Sequence, residues 1–153
     1  MTKMKKATYI MGAIIAAIMT AVTFSACTIE SSDAGDYEGM WHLTRVDTIA
    51  TGGVLDLSRQ KIYWSFQFKL MEGRDKSAKE RAILMRFSSG GGKLVLNSPY
   101  AYNREEGDEP LSDITLLKPY GINKTEEEFQ VLSISGSKMK LQSEMLVLSF
   151  KKF

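Results

Sequence analysis

The 153-residue chain has one cysteine, one histidine and three prolines. A single cysteine excludes an intrachain disulfide framework. With only His42 beside it, the composition also disfavours a structural zinc site, which needs four Cys or His ligands. No second long apolar run follows the N-terminal one, and the remainder of the chain lacks any extended helical stripe. Serines are plentiful, but no G-x-S-x-G nucleophile elbow is present. "FSSGGGK" fails as a phosphate loop: Phe87 stands where the first Gly is required, and Leu94 follows Lys93 in place of Ser or Thr. It reads as a hairpin turn. "REEGDE" and the glutamates at 126 to 128 lack the spaced oxygen ligands of a calcium loop and read as solvated segments. No metal, cofactor or catalytic constellation is predicted.

What is present begins with Lys3, Lys5 and Lys6, followed by an uncharged stretch of about 17 residues from Ala7 to Thr23. A basic start and a short apolar run are the layout of a secretory signal peptide. The same stretch is at the lower length limit for a bilayer-spanning helix, so a permanent span is the alternative. The run ends in Phe24-Ser25-Ala26 before the sole cysteine, Cys27, and this resembles the bacterial lipobox. The resemblance implies diacylglycerol on the Cys27 sulfur, cleavage before Cys27 and further acylation of the new amine. One acyl chain binds a membrane only marginally, whereas two or three give a lasting anchor. Thr28 in place of Asp implies sorting to the outer membrane, with either the periplasmic face or the cell surface open.

Removal of residues 1–26 changes the charge. Three of the 20 cations leave with the leader, and all 18 acids stay, so the formal charge moves from +2 to −1. The basicity belongs to the leader, and nucleic-acid binding, which needs a concentrated basic face, is not expected. The organisation predicted is a leader over 1–26, a lipidated tether over 27–38 and one β-domain over 39–153. "TIESSDAGDYEG" is polar and poor in apolar residues, as a flexible tether requires.

From Gly39 the pattern is strand-like, in short β-branched and aromatic runs separated by Gly, Asn, Asp and Pro. "KIYWSFQFKLM" alternates most regularly and predicts one strand with Ile62, Trp64, Phe66, Phe68 and Leu70 on a single face. "EGRDKSAKE" predicts a charged connection. "RAILMRF" and "KLVLNS" predict a hairpin, and "YAYNREEGDEP" a long polar loop. "DITLLKPYGI" reads as a short strand, turn or brief helix, and the last 26 residues as an antiparallel meander. Many short strands predict an all-β sandwich or closed barrel.

Gly39-Met40-Trp41 resembles the G-x-W of lipocalins, and "FQVLSISGSKMKLQSEMLVLSFKKF" resembles the closing strands of small lipocalin-like lipoproteins of Bacteroidetes. This implies an up-and-down antiparallel barrel of about eight strands. It also implies that Trp41 plugs one end against a basic residue of the last strand, Lys151 or Lys152; a plain core tryptophan is the other reading. The apolar face containing Trp64 could line a cavity or fill one, since an eight-stranded barrel is only just wide enough for side chains or a small ligand. Asp47-Thr48-Ile49 resembles the three-residue glycosylation site of exported Bacteroidetes proteins, with Thr48 as acceptor. The expected function is non-catalytic binding of a small apolar or amphipathic molecule by a membrane-anchored barrel. The alternative is a filled barrel that docks another envelope protein.

Overall fold

The structure is a computed structural model that describes residues 33–153. The leader, Cys27 and the first part of the tether lie outside the described residues. Among these described residues no helix is long and apolar enough to cross a membrane.

Ten strands form one antiparallel sheet: β1 (Gly39–Thr48), β2 (Val54–Asp56), β3 (Ile62–Gln67), β4 (Leu70–Asp75), β5 (Ile83–Gly90), β6 (Lys93–Ala101), β7 (Glu109–Pro110), β8 (Glu127–Ile134), β9 (Lys138–Gln142) and β10 (Leu146–Lys152). Eight of them close a barrel in the order β1-β3-β4-β5-β6-β8-β9-β10, and β10 returns to β1 along a register from Trp41↔Lys152 to Thr48↔Leu146. Closure leaves the barrel no free edge. The two shortest strands are accessories, β2 on β1 and β7 on β6. Alternation then sorts the side chains: Trp41 and Leu43 of β1, Trp64 and Phe66 of β3, Leu94 and Leu96 of β6, and Leu148 and Phe150 of β10 are all buried inside.

The alternating run at 62–70 is not one strand. Phe68 and Lys69 form a two-residue turn, Gln67 pairs with Leu70, and the chain reverses. Phe68 sits at φ 55°. Hairpin turns of this length favour Gly, Asn or Asp at such angles, and none is present, so the sequence carries no turn signal. Phe68 (54% exposed) and Leu70 (45% exposed) therefore leave the predicted inward face. The expected charged connection shortens correspondingly, because Glu72–Asp75 belong to β4.

Both barrel ends are stopped by short 3-10 turns. At the end where β1 begins, the turn Gly35–Tyr37 inserts Tyr37 and follows buried Ala34, so the last part of the predicted tether is folded onto the core. At the other end, the segment between β7 and β8 makes two turns, Ile114–Leu116 and Lys118–Tyr120, and drives Leu117, Tyr120 and Ile122 into the lumen. Pro119 within the second of these turns and left-handed Gly121 behind it are the residues that start and stop such a turn.

Candidate functional site

The lumen is packed with rings. Trp64 lies 4.9 Å from Phe150 and 5.7 Å from Phe129, centroid to centroid, while Phe66 reaches Phe87 at 5.0 Å and Tyr37 at 5.6 Å. This series of tilted and edge-on contacts spans the barrel from the Tyr37 stopper toward the Tyr120 plug. Aromatic rings of 150–250 Å² each, in a barrel this small, leave the interior occupied. Trp41, Ile62, Trp64 and Phe66 are thus core residues.

At the entry end, the Trp41 indole Nε1 donates to the Tyr37 carbonyl at 2.7 Å. The ammonium of Lys152 stands 4.9 Å over the Trp41 ring. Lys152, rather than Lys151, is therefore the basic residue on the tryptophan. Lys151 pairs across from His42 with its side chain exposed. His42 is held by two contacts: Nε2 donates to the Gln60 carbonyl at 2.6 Å, and the ring stacks on Tyr63 at 5.0 Å. Thr48 ends β1, half-buried beside the Gly52-Gly53 turn.

The far end carries a groove beside the plug. A groove of about 520 Å³ lies between the β1–β2 corner, the loop 57–61, the loop after β4 and the plug. Val46, Leu55, Leu57, Ile62 and Leu146 give it an apolar floor, and Arg59, Lys61, Lys79 and Lys118 border it. Its walls are held by named contacts. Trp64 Nε1 donates to the Tyr120 carbonyl at 3.0 Å, and the Tyr120 hydroxyl donates to the Arg81 carbonyl at 3.0 Å. Burial pushes the Tyr120 phenol up to about 12. The plug also relies on two glycines. A Cβ on Gly73 would stand 3.0 Å from the Tyr120 ring, and one on Gly121 would stand 2.7 Å from Leu148 Cδ2.

Asp75 organises the loop after β4. Its Oδ1 accepts from the Ser77 amide and hydroxyl, and its Oδ2 from the amides of Lys79 and Glu80 at 3.1 and 3.3 Å. Burial pushes this carboxyl up, but the four hydrogen bonds outweigh it and hold it below the usual carboxylate range. The loop is thereby fixed with the Lys79 side chain at the groove.

Sequence reasoning pointed to the β3 face and missed the mouth. Its cations are scattered over three separate segments and only the closed barrel brings them together. The one available signal was Lys118-Pro119-Tyr120-Gly121, a one-turn helix with its stop. Among the described residues, no group of three or more His, Cys, Asp or Glu side chains is placed to hold a metal ion.

An eight-stranded antiparallel barrel with a tryptophan near the start of its first strand, covered by a cation from its last, invites comparison with known proteins. Residues 22–153 match the lipocalin-like domain family. The chain belongs to that family. A solved lipocalin-like protein from Bacteroides uniformis ATCC 8492 superposes on it with a TM-score of 0.59 at 19% identity, covering 78% of this chain and all of the other. An uncharacterized protein from Bacteroides eggerthii DSM 20697 gives 0.56 at 17% identity, covering 76% of this chain and 99% of its own. No curated protein matches the chain in sequence. At these identities the two neighbours establish the fold alone.

Proposed function

We propose that this lipocalin-like protein is a non-catalytic binding module, held at the outer membrane by acylated Cys27, that takes a small apolar or amphipathic molecule at its mouth groove. The observation that carries this reading is the 520 Å³ groove with its apolar floor, within the roughly 300–1,000 Å³ typical of ligand sites. The ring-filled lumen moves the binding place from the barrel axis to the mouth. The anchoring half rests on the lipobox-like segment Phe24-Ser25-Ala26-Cys27.

Titration of the barrel with short-chain amphiphiles, followed by amide chemical shifts, tests the site. Shifts confined to the segments around Leu55, Ile62 and Leu146 are expected; no shift there, with any probe, sinks the reading. Globomycin treatment or Cys27→Ala, followed by membrane fractionation, tests the anchor independently.

A second reading, docking of an envelope protein, draws on exposed Ile49, Val54, Leu55 and Met145, all at the mouth end. Crosslinking in cells that recovers one repeated partner through these residues would favour it over a small ligand.

A further inference from the structure

The turn between β3 and β4 combines backbone strain with apolar exposure. Phe68 sits at φ 55°, in the left-handed region that a bulky side chain rarely adopts, and Asn or Gly would hold the same turn at less cost. The strain is not offset by core packing, because Phe68 and Leu70 are both among the exposed large apolar residues. A strained residue held outside the core is an argument for a role beyond folding. The backbone beneath the ring is firm: Gln67 pairs with Leu70, and the Phe87 amide donates to the Lys69 carbonyl at 3.1 Å. Register places this turn at the end of the barrel where β1 begins, since Gly39 pairs with Phe66. The hairpins beside it at that end, Gly90 to Lys93 and Ile134 to Lys138, expose no large apolar side chain.

Chain connectivity says what this tip faces. The Asp33 carboxylate lies 3.7 Å from the Lys69 ammonium, so the chain enters the domain beside the turn. Asp33 is six residues after Cys27, and six residues span at most about 20 Å in any conformation. Acyl chains on Cys27 therefore bring a bilayer surface within reach of Phe68. We propose that Phe68, Lys69 and Leu70 are a lipid-contacting tip, with the Phe68 ring and Leu70 in the boundary between headgroups and acyl chains and the Lys69 ammonium among the headgroups. Aromatic rings settle at that boundary, and a lysine can lay its stem along apolar surface while its charge stays in water. A lipid anchor limits distance but not orientation, and a second contact fixes which end of the barrel meets the membrane. This rests on the anchoring half of the proposed function and is independent of what the mouth binds.

The acylated full-length chain in phosphatidylcholine nanodiscs, with and without a nitroxide on the lipid acyl chain near its ester, tests the contact through amide signal intensities. Loss of signal at 67–70, with the loops at 57–61 and 76–80 retained, is the expected result. The Phe68→Asn, Leu70→Ser double variant should stay on the discs through its anchor, keep the amide pattern of the folded barrel, and recover the signals at 67–70. Discs that hold the chain while 67–70 broaden no more than 57–61 overturn the tip and leave the anchor standing. The same is true if the double variant broadens as the parent does, since tether length alone would then account for the proximity. A chain that does not stay on the discs overturns both. A photo-crosslinker at position 68 in cells is expected to yield lipid adducts; one repeated protein adduct in their place overturns the lipid contact in favour of protein docking.

Discussion

Trp64 Nε1 donates a 3.0 Å hydrogen bond to the carbonyl oxygen of Tyr120, tying the wall of the barrel to the plug that floors its mouth. Both residues are fully buried, so neither group has water as a substitute. Trp64→Phe keeps a ring in the lumen but leaves the Tyr120 carbonyl unpaired, at an expected cost of about 1–3 kcal/mol. Thermal unfolding measures the loss, and hydrogen exchange over residues 111–122 should rise more than over β9. Unchanged exchange in the plug would show that this bond does not hold it.

Gly121 has φ 78°, and a Cβ there would stand 2.7 Å from Leu148 Cδ2. Gly121→Ala combines left-handed strain with overpacking and should cost about 1–3 kcal/mol. Leu148→Ala in the same chain should relieve part of that cost, so the two substitutions are expected to be non-additive. Additive losses in Tm would place the penalty in the backbone alone.

Lys152 covers the Trp41 ring, whereas Lys151 points outward. Lys152→Ala should lower stability by about 0.5–1 kcal/mol through the lost cation–ring contact. Lys151→Ala should change it little. Comparable effects at both positions in urea unfolding would remove the special role of Lys152.

Glu127 is buried (3% exposed), accepts from the Asn123 amide at 2.6 Å through Oε2, and leaves Oε1 without a partner. Burial raises its pKa, against the hydrogen bonds and Lys124 that lower it. A raised folded pKa means the folded state binds the proton more readily, so stability falls as pH rises from the ordinary glutamate value of about 4.3 through the folded value. Glu127→Gln should therefore stabilise by about 1 kcal/mol at neutral pH, the gain shrinking toward pH 4. A pH-independent gain would assign the effect to packing.

Asp75 behaves with the opposite sign. Its folded pKa is lowered, so its contribution is complete above the ordinary aspartate value of about 3.9 and is lost as pH falls through the folded value. Asp75→Asn should remove that acid-side slope and loosen residues 76–80, seen as faster amide exchange beside the mouth. An unchanged acid unfolding curve would contradict this.

The sequence by itself determined the class of fold and much of its closing half. The alternating runs of β5, β6, β8, β9 and β10, each bounded by Gly, Ser or Glu gaps, read directly as strands because burying one face of a sheet demands a period of two. Gly39-Met40-Trp41 was legible for the same reason, as a ring on the inward face at the start of a strand. Cys27 and the segment before it are likewise a matter of local sequence.

Other features were decided only by the closed structure. The Phe68-Lys69 turn lacks turn residues, and tertiary pairing of Gln67 with Leu70 overrides the local alternation. Whether Trp64 and Phe66 line a space or fill it depends on what faces them, and it is Phe129, Phe150, Phe87 and the inserted Tyr120 that fill it. The mouth was illegible for a related reason. Arg59, Lys61, Lys79 and Lys118 span some sixty residues of chain, and no local pattern marks them as neighbours. Barrel closure and the docking of the 114–122 plug place them around one apolar floor, because only long-range pairing sets which loops share an end.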